Sequence, residues 1–406
     1  MRSRRSSVAD FLLMVEALRN PRLLGLGTTI FAEMSALALK TNSVNLGQGF
    51  PDTDGPVEVA EIAAEAIRSG PNQYPPLLGQ PDLRAAVAEH QERFYGLKYD
   101  PDTEVLITAG ATEAIAGAIL ALCDHGDEVI TFEPTYDSYS ATIALAGAVE
   151  RPVLLNAPDW SFDIEAFDAA LSDKTRLILL NSPHNPTGKV FDRAELESIA
   201  ERAIEHDLVV VSDDVYQHMV FDGEHIPIAA LPGMRERTIS IGSAGKSFSF
   251  TGWKIGWLTA PPELRNAVMT AKQFLTFVNG APLQPAVAHG LRLSDDYFDG
   301  LRNDLLAKRD RLAAGLTEAG FDVLHTQGTY FVTSDVRGIA KRTGLPDTSV
   351  EFCLALPEAC GVVAVPSEVF YRTKEAGRHL VRFAFCKKDD VLDEAITRLK
   401  TLEASS

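Results

Sequence analysis

Between about residues 57 and 290, short apolar runs (VLITAG, DEVITFEP, RLILLNSP, LVVVSD, RTISIG and IGWLTAP) alternate with longer stretches such as ATEAIAGAILALC and AELESIAERAIEHD. Runs that are apolar throughout, rather than at every second position, belong to strands covered on both faces. The amphipathic stretches between them supply the covers. The pattern therefore predicts an α/β fold of three layers, a mostly parallel sheet with helices on both faces. After about residue 291 the texture changes to a long charged helix, LRNDLLAKRDRLAAGLTEAG. FDVLHT, GTYFVTSD, GVVAVPS and HLVRFAFC follow, with turn residues between them. This reads as a smaller α+β domain. The first fifty-odd residues have too little apolar periodicity for a core of their own. The expected organisation is a segment 1–56 docking on the small domain, a large domain at 57–290 and a small domain at 291–406.

Composition narrows the class. A chain of 406 residues exceeds one ordinary core, and 46% hydrophobic with 23% charged residues describes a globular protein. The formal net charge of -18 argues against non-specific binding to nucleic acid or anionic lipid, so any bound anion needs a local arrangement. Cys123, Cys353, Cys360 and Cys386 form no CxxC pair and read as reduced thiols of a cytoplasmic protein. The opening MRSRRSSVADFLLMVEALRN has a basic head and a short apolar stretch, but Glu16 and Arg19 interrupt it. It reads as an extra helix or a ragged terminus rather than an export signal. No stretch approaches the roughly 18 apolar residues of a membrane span.

In an open α/β sheet ligands collect beyond the carboxyl ends of the strands, so the residues that close each apolar run are the candidates. VLIT leads into AGATEA, a small-residue turn entering a helix, whose free N–H groups suit a phosphate; such turns are also common as plain connections. RLILL leads into NSPHNPTG. A cis X-Pro bond there would hold the Asn185 side chain outward, and the alternative is a loop whose Asn caps the next turn. LVVVS leads into DDVYQH, where Asp213 closes a buried strand and needs a cationic partner. Tyr216 falls on the same side if a helical turn starts there. A metal site on Asp214 and His218 lacks a third ligand at sensible spacing, and no metal is expected.

TISIG leads into SAGK. Lys246, among small residues that admit a planar ligand, can be desolvated into a nucleophilic amine, against the commoner fate of reaching out to solvent. Lys254 offers a second cation, better suited to a phosphate. In HLVRFAFC, Arg382 alternates in facing with Val381 and Phe383; an inward arginine binds a carboxylate in fork geometry or closes a structural salt bridge. Together these are the parts that a pyridoxal phosphate enzyme acting on amino acids requires.

The order and wording of the motifs resemble the fold-type I, class I/II aminotransferases over nearly the whole chain. The resemblance runs from NLGQGFPDTDGP through NQYPPLLGQPDLR, ITAGATEA, EPTYDSY, NSPHNPTGKVF, SDDVYQHMVF and SAGKSFSFTGWKIGW to VRFAFCKKDD. Within the family the wording is similar to the kynurenine/glutamine transaminase group and to actinobacterial N-succinyldiaminopimelate aminotransferases.

The resemblance implies roles. Lys246 would hold pyridoxal 5'-phosphate as a Schiff base and then act as acid and base at the substrate's α-carbon. Asp213 would pair with the pyridinium nitrogen, Asn185 and Tyr216 would bond the phenolic oxygen, and Tyr136 would stack on the ring, where many relatives carry Phe or Trp. The phosphate would sit on the N–H groups of Ala111 and Thr112 with Ser243, Lys254 and, from a neighbouring subunit, Tyr74, which implies a homodimer. Arg382, with Asn185 and the N–H of Gly47, would clamp the substrate α-carboxylate. The implied reaction moves an amino group between an amino acid and a 2-oxo acid. The first choice is N-succinyl-L,L-diaminopimelate with 2-oxoglutarate or glutamate, in lysine biosynthesis. The alternative is a kynurenine/glutamine-type enzyme, with cysteine-S-conjugate β-lyase side activity.

Rival classes fit less well. Ser243 to Lys246 is a literal S-x-x-K, the nucleophile motif of Ser-Lys acyl hydrolases, but SDN and KTG are absent and that motif is expected at a helix start rather than in a turn. A non-catalytic regulator would need a DNA-binding module for which the acidic chain leaves no room. GLGTTI lacks the third glycine of a dinucleotide fingerprint.

Overall fold

A computed structural model describes residues 20–23, 30–70 and 72–402. Residues 1–19 and most of GLGTTI, on which two of the readings above fall, lie outside the described residues.

The apolar runs form one eight-stranded sheet. Its spatial order is Val105–Thr108, Gly256–Thr259, Thr238–Ser243, Val209–Asp213, Thr175–Asn181, Glu128–Glu133, Val149–Asn156 and Ser161–Phe162. The five strands from Thr238–Ser243 to Val149–Asn156 pair in parallel, whereas Gly256–Thr259 runs antiparallel to both its neighbours. Successive residues of one strand serve opposite layers. Ile178 and Leu180 pack with Phe132, Phe167 and Phe191 on one face, while Leu177 and Leu179 pack with Ile115, Ile119 and Val268 on the other. This two-sided burial is why the runs are apolar at every position.

The covering helices follow local rules. Arg193–Glu205 begins with a capping box in which Asp192 Oδ1 accepts the Glu195 N–H at 2.9 Å and Glu195 Oε2 accepts the Asp192 N–H at 3.0 Å. Such a cap is worth about 1 kcal/mol. Leu196, Ile199, Ala200 and Ala203 then form its buried stripe.

The long helix Asp295–Glu318 leads into a four-stranded antiparallel sheet of order Asp322–Val323, Phe331–Asp335, Leu380–Ala384 and Val365–Pro366. Of FDVLHT only Asp322 and Val323 join the strand. The chain then leaves this sheet, and the Gln327 and Gly328 N–H groups bond Gly188 O at 2.9 and 2.8 Å, tying the two sheets' loops together. Helix Ile30–Thr41 places Met34 and Ala38 in the core around the small sheet, and Val44–Asn45 pairs in parallel with Val362–Val363. The chain then crosses to helix Val57–Ser69, whose Val59 and Ala63 pack on Ala286. Residues 46 to 56 thus run from one packing unit to the other.

No helix among the described residues is long and apolar enough to cross a membrane, and the four cysteines are free thiols.

Candidate active site

Strand register lines up the polar ends of the sheet. Asn181 pairs with Asp213, Ser243 with Gly256, and Gly256 with Thr108, so five neighbouring strands present one edge. Beyond it lies a cavity of about 310 Å³. Loops of the large sheet wall it with Tyr136, Asp213, Lys246 and Lys254, the small sheet adds Phe331 and Arg382, and the crossing segment adds Gln48, Gly49 and Phe50.

Asp213 is buried. The Tyr139 hydroxyl donates to its Oδ2 at 2.6 Å, while Oδ1 has no hydrogen-bond partner among the described residues. Burial lifts its pKa to about 6, against the opposing pull of the Tyr139 bond. An unpartnered carboxylate oxygen on a cavity wall fits a protonated ring nitrogen, which would supply both the missing bond and the countercharge. By this test the residues present fit pyridoxal phosphate. Asn181 steadies the same corner: its Nδ2 donates to Asp213 O at 2.7 Å and its Oδ1 accepts the Asn185 N–H at 2.7 Å. Ser182–Pro183 and Asn185–Pro186 are both cis. Tyr216 stands in a turn after the Asp213 strand, buried, its ring edge-on to Tyr330 with centroids 5.3 Å apart.

The helix Gly110–Leu122 opens at the cavity with Ala111 and Thr112, whose first-turn N–H groups have no intrahelical acceptor. Ser243 and Lys254 border the same end. A side chain at Gly256 would put Cβ 2.6 Å from Gly110 C and 2.8 Å from Ala111 N, so only glycine lets this strand lie against the turn. Glu113, one turn into the helix, reaches back: its carboxylate accepts the Ala109 N–H at 2.5 Å and the Thr276 hydroxyl, with Lys272 Nζ at 3.9 Å.

Lys246 sits on the short helix Ala244–Ser247, directly after its strand. Its neighbour Gly245 has no room for Cβ, which would meet Thr251 Cα at 2.9 Å. Burial lowers the Lys246 pKa to about 8, with Cys386 and Asp213 pulling it back up. The amine is thus largely desolvated, as a nucleophile requires, and Nζ donates to Tyr330 Oη at 2.6 Å. S-x-x-K therefore does stand at a helix start, which removes one of the arguments made above against an acyl hydrolase.

Arg382 is 1% exposed, pairs across the small sheet with Thr333 and Val365, and has no acidic partner among its hydrogen bonds. Nη1 donates to Asn185 Oδ1 at 2.8 Å, Nη2 to Gly47 O at 3.4 Å, and Nε has no partner. The guanidinium lies 3.9 Å from the Phe331 ring centroid and 4.9 Å from that of Phe370. Burial brings its pKa down to about 10. A buried cation with no hydrogen-bonded anion among the described residues is chemically suited to a carboxylate.

One expected residue is placed differently. The Gly47 N–H is committed to Asn45 Oδ1 at 2.9 Å, so Gly47 faces Arg382 with its carbonyl instead. Tyr74 is 81% exposed, borders no part of this cavity and sits edge-on to Phe277 at 5.4 Å. Asp214 is turned to Ser212, whose hydroxyl donates at 2.6 Å, and His218 Nε2 lies 2.8 Å from His90 Nε2. No group of three metal-binding side chains occurs among the described residues. Sequence reasoning passed over Tyr139, Asn181 and Tyr330. The position of Asn181 at the end of RLILLN, beside Asp213 in register, was the available signal for one of them.

The edge of this sheet, with its amine, its orphaned carboxylate and its anion turn, defines a pyridoxal phosphate-dependent enzyme. The family model for aminotransferase class I and II matches residues 41–399. A Mycobacterium tuberculosis (strain ATCC 25618 / H37Rv) protein described as probable N-succinyldiaminopimelate aminotransferase DapC is 51% identical over 392 residues, covering 94% of this chain and 98% of that one. The methionine aminotransferase of Escherichia coli (strain K12) is 40% identical over 378 residues, covering 93% and 96%. Human kynurenine–oxoglutarate transaminase 3 is 37% identical over 399 residues, covering 92% and 88%. The solved structure of N-succinyldiaminopimelate aminotransferase from Mycobacterium tuberculosis superposes with a TM-score of 0.91 at 52% identity, over 95% of this chain and all of that one. The chain belongs to the class I and II aminotransferases and is a pyridoxal phosphate-dependent aminotransferase.

Proposed function

We propose that the protein transfers the amino group of N-succinyl-L,L-diaminopimelate to 2-oxoglutarate, or the reverse with glutamate, in lysine biosynthesis. The observation that carries this choice is the 51% identity to the mycobacterial relative over 94% of the chain. Bound pyridoxal phosphate supplies an electron sink for the carbanion at the substrate's α-carbon. The chain's residues do the rest. Lys246 holds the cofactor and then moves the proton at that carbon. Asp213 keeps the ring nitrogen protonated, and Tyr136 covers one ring face. Asn185, whose Oδ1 accepts from Arg382, would have its amide protons free to bond the cofactor's phenolic oxygen, with Tyr216 as the second donor. Ala111, Thr112, Ser243 and Lys254 hold the phosphate. Arg382 would hold the substrate's α-carboxylate and so orient its α-carbon within reach of Lys246.

The active unit in this reading is a cytoplasmic homodimer. Tyr74, Phe274 and Phe277 are 81%, 83% and 47% exposed, an apolar surface of the kind that marks an interface, and Tyr74 would reach the neighbouring subunit's phosphate. The division into 1–56, 57–290 and 291–406 suits this arrangement, with the crossing segment closing the cavity.

One observation favours the kynurenine/glutamine-type alternative. The cations lining the cavity among the described residues are Lys246, Lys254 and Arg382, all with roles already, while Phe31, Phe50 and Phe331 suit an apolar side chain. Comparing kcat/KM for N-succinyl-L,L-diaminopimelate, kynurenine, glutamine and methionine decides. A preference of about tenfold or more, about 1.4 kcal/mol, for any of the last three overturns the first choice.

A further inference from the structure

Tyr330 is buried at the turn that enters the strand Phe331–Asp335, with its hydroxyl among three partners, Gly49 O, Lys246 Nζ and the Tyr216 side chain. It donates to Gly49 O at 2.7 Å and accepts from Lys246 Nζ at 2.6 Å. A phenol has one proton; the Gly49 carbonyl can only accept, whereas the Tyr216 hydroxyl can also donate, and the 2.7 Å contact directs the proton to Gly49. Towards Lys246 the hydroxyl is therefore an acceptor and nothing else. A neutral amine held this way gives up one N–H and keeps its lone pair unbonded. That lone pair is what must receive the substrate's α-proton.

We infer that Tyr330 is a positioning residue for the transamination: it parks the released Lys246 amine by one N–H, so that the lone pair stays free for the α-carbon proton. This rests on the reading of Lys246 as the proton carrier. The alternative is that the hydroxyl only fastens the segment around Gly49. That segment has other fastenings: Ala384 N–H to Leu46 O at 2.7 Å, Lys387 Nζ to Phe50 O at 2.8 Å, and Lys388 N–H to Asp52 Oδ1 at 2.7 Å. Removal of one hydroxyl leaves these in place. Of the titratable groups around the amine, Asp213, Lys254, Arg382 and Cys386 keep their surroundings in Tyr330→Phe, while Tyr216 loses one hydrogen-bond partner but stays buried and neutral.

The first measurement is the pH dependence of Lys246 acetylation by acetic anhydride in the full-length, cofactor-free protein, read by peptide mass spectrometry. An acceptor favours the ammonium form, so Tyr330→Phe should lower the labelling midpoint, by roughly 0.5–1 pH unit. In the loaded enzyme kcat should fall about tenfold or more, with KM within about threefold. The second measurement is a cycle with Lys246→Ala rescued by methylamine, where the proton carrier is no longer tethered. There Tyr330→Phe should cost nothing further. An unshifted midpoint with unchanged kcat overturns the inference, and so does an equal loss in the methylamine-rescued background, which would place the effect in the segment around Gly49. A Lys246→Ala protein fully active without methylamine would instead overturn the reading of Lys246 itself. If Tyr330→Phe does not fold, 3-fluorotyrosine at position 330, of nearly the same shape and a poorer acceptor, should shift the midpoint in the same direction, and no shift overturns the inference.

Discussion

Arg382 Nη1 donates to Asn185 Oδ1 at 2.8 Å, joining the strand Leu380–Ala384 of the small sheet to the proline-rich loop of the large one. The bond orients both residues. It leaves the Asn185 amide protons for the proposed contact with the cofactor, and leaves Nε, together with the Nη2 proton not given to Gly47 O, for the proposed substrate carboxylate.

The same geometry predicts a split between stability and activity in Arg382→Met. The guanidinium is buried and, among the described residues, makes no hydrogen bond or ion pair to a carboxylate, Asp137 acting on it only at longer range, so an apolar chain of similar volume removes the cost of burying a charge. Tm should therefore hold within about 3 °C or rise, while kcat/KM falls about 10³-fold, about 4 kcal/mol. A drop in Tm of about 8 °C or more, with modest loss of activity, would make Arg382 a structural residue.

Asp213 gives a pH prediction for the cofactor-free protein. Its folded pKa, about 6, lies above the unfolded value of about 3.9. Between these the folded state binds more protons, so stability falls as pH rises from about 4 through about 6 and stays lowered above. Asp213→Asn cannot ionise and should escape this loss. Denaturant titration should find it more stable than the parent at pH 7.5, by up to roughly 2–3 kcal/mol, with little advantage at pH 4. The loaded enzyme should lose this advantage, because a cationic ring nitrogen restores the partner that Asp213 lacks. A variant less stable at pH 7.5 than at pH 4, relative to the parent, contradicts the account.

The residues legible from sequence share a feature. Asp213, Lys246 and Arg382 each place a charge in or just beyond an apolar strand, and the cost of burying charge is local information. Tyr139, Asn181 and Tyr330 act through partners that sequence does not bring near. Tyr139 reaches Asp213 across 74 positions, and Tyr330 reaches Lys246 across 84 and Gly49 across 281. GTYFV reads equally well as a plain strand. The sheet was legible for the same local reason, since strands covered on both faces are apolar throughout. The antiparallel direction of Gly256–Thr259 was not, because an apolar run carries no sign of its direction.

Tyr74 offers a test of the shared site. In the proposed dimer each cavity uses its own Lys246 and the other subunit's Tyr74. Lys246→Ala and Tyr74→Ala proteins should each be nearly inactive alone. Mixed by unfolding and refolding together, they should regain activity, because one site of the mixed dimer has both residues intact. No recovery, with mixed dimers demonstrated by mass spectrometry, would mean that Tyr74 serves its own subunit or none.

Gly256→Ala isolates the anion turn from the rest of the site. The added methyl would fall 2.6–2.8 Å from the backbone of Gly110 and Ala111, and backbone atoms cannot swing aside as a flexible side chain does. Either the turn or the strand must move by several tenths of an ångström. The displaced group is the N–H array proposed for the phosphate, while Asp213 and Arg382 stand on other strands and Lys246 on the short helix Ala244–Ser247. Cofactor affinity should fall about tenfold to a hundredfold, by equilibrium dialysis, with kcat at saturating pyridoxal phosphate reduced less than threefold. Inorganic phosphate should compete with the cofactor less well in the variant than in the parent, because both use the same displaced turn. Equal loss of cofactor affinity and kcat would instead show that the strand, and with it Ser243 and Lys246, had shifted.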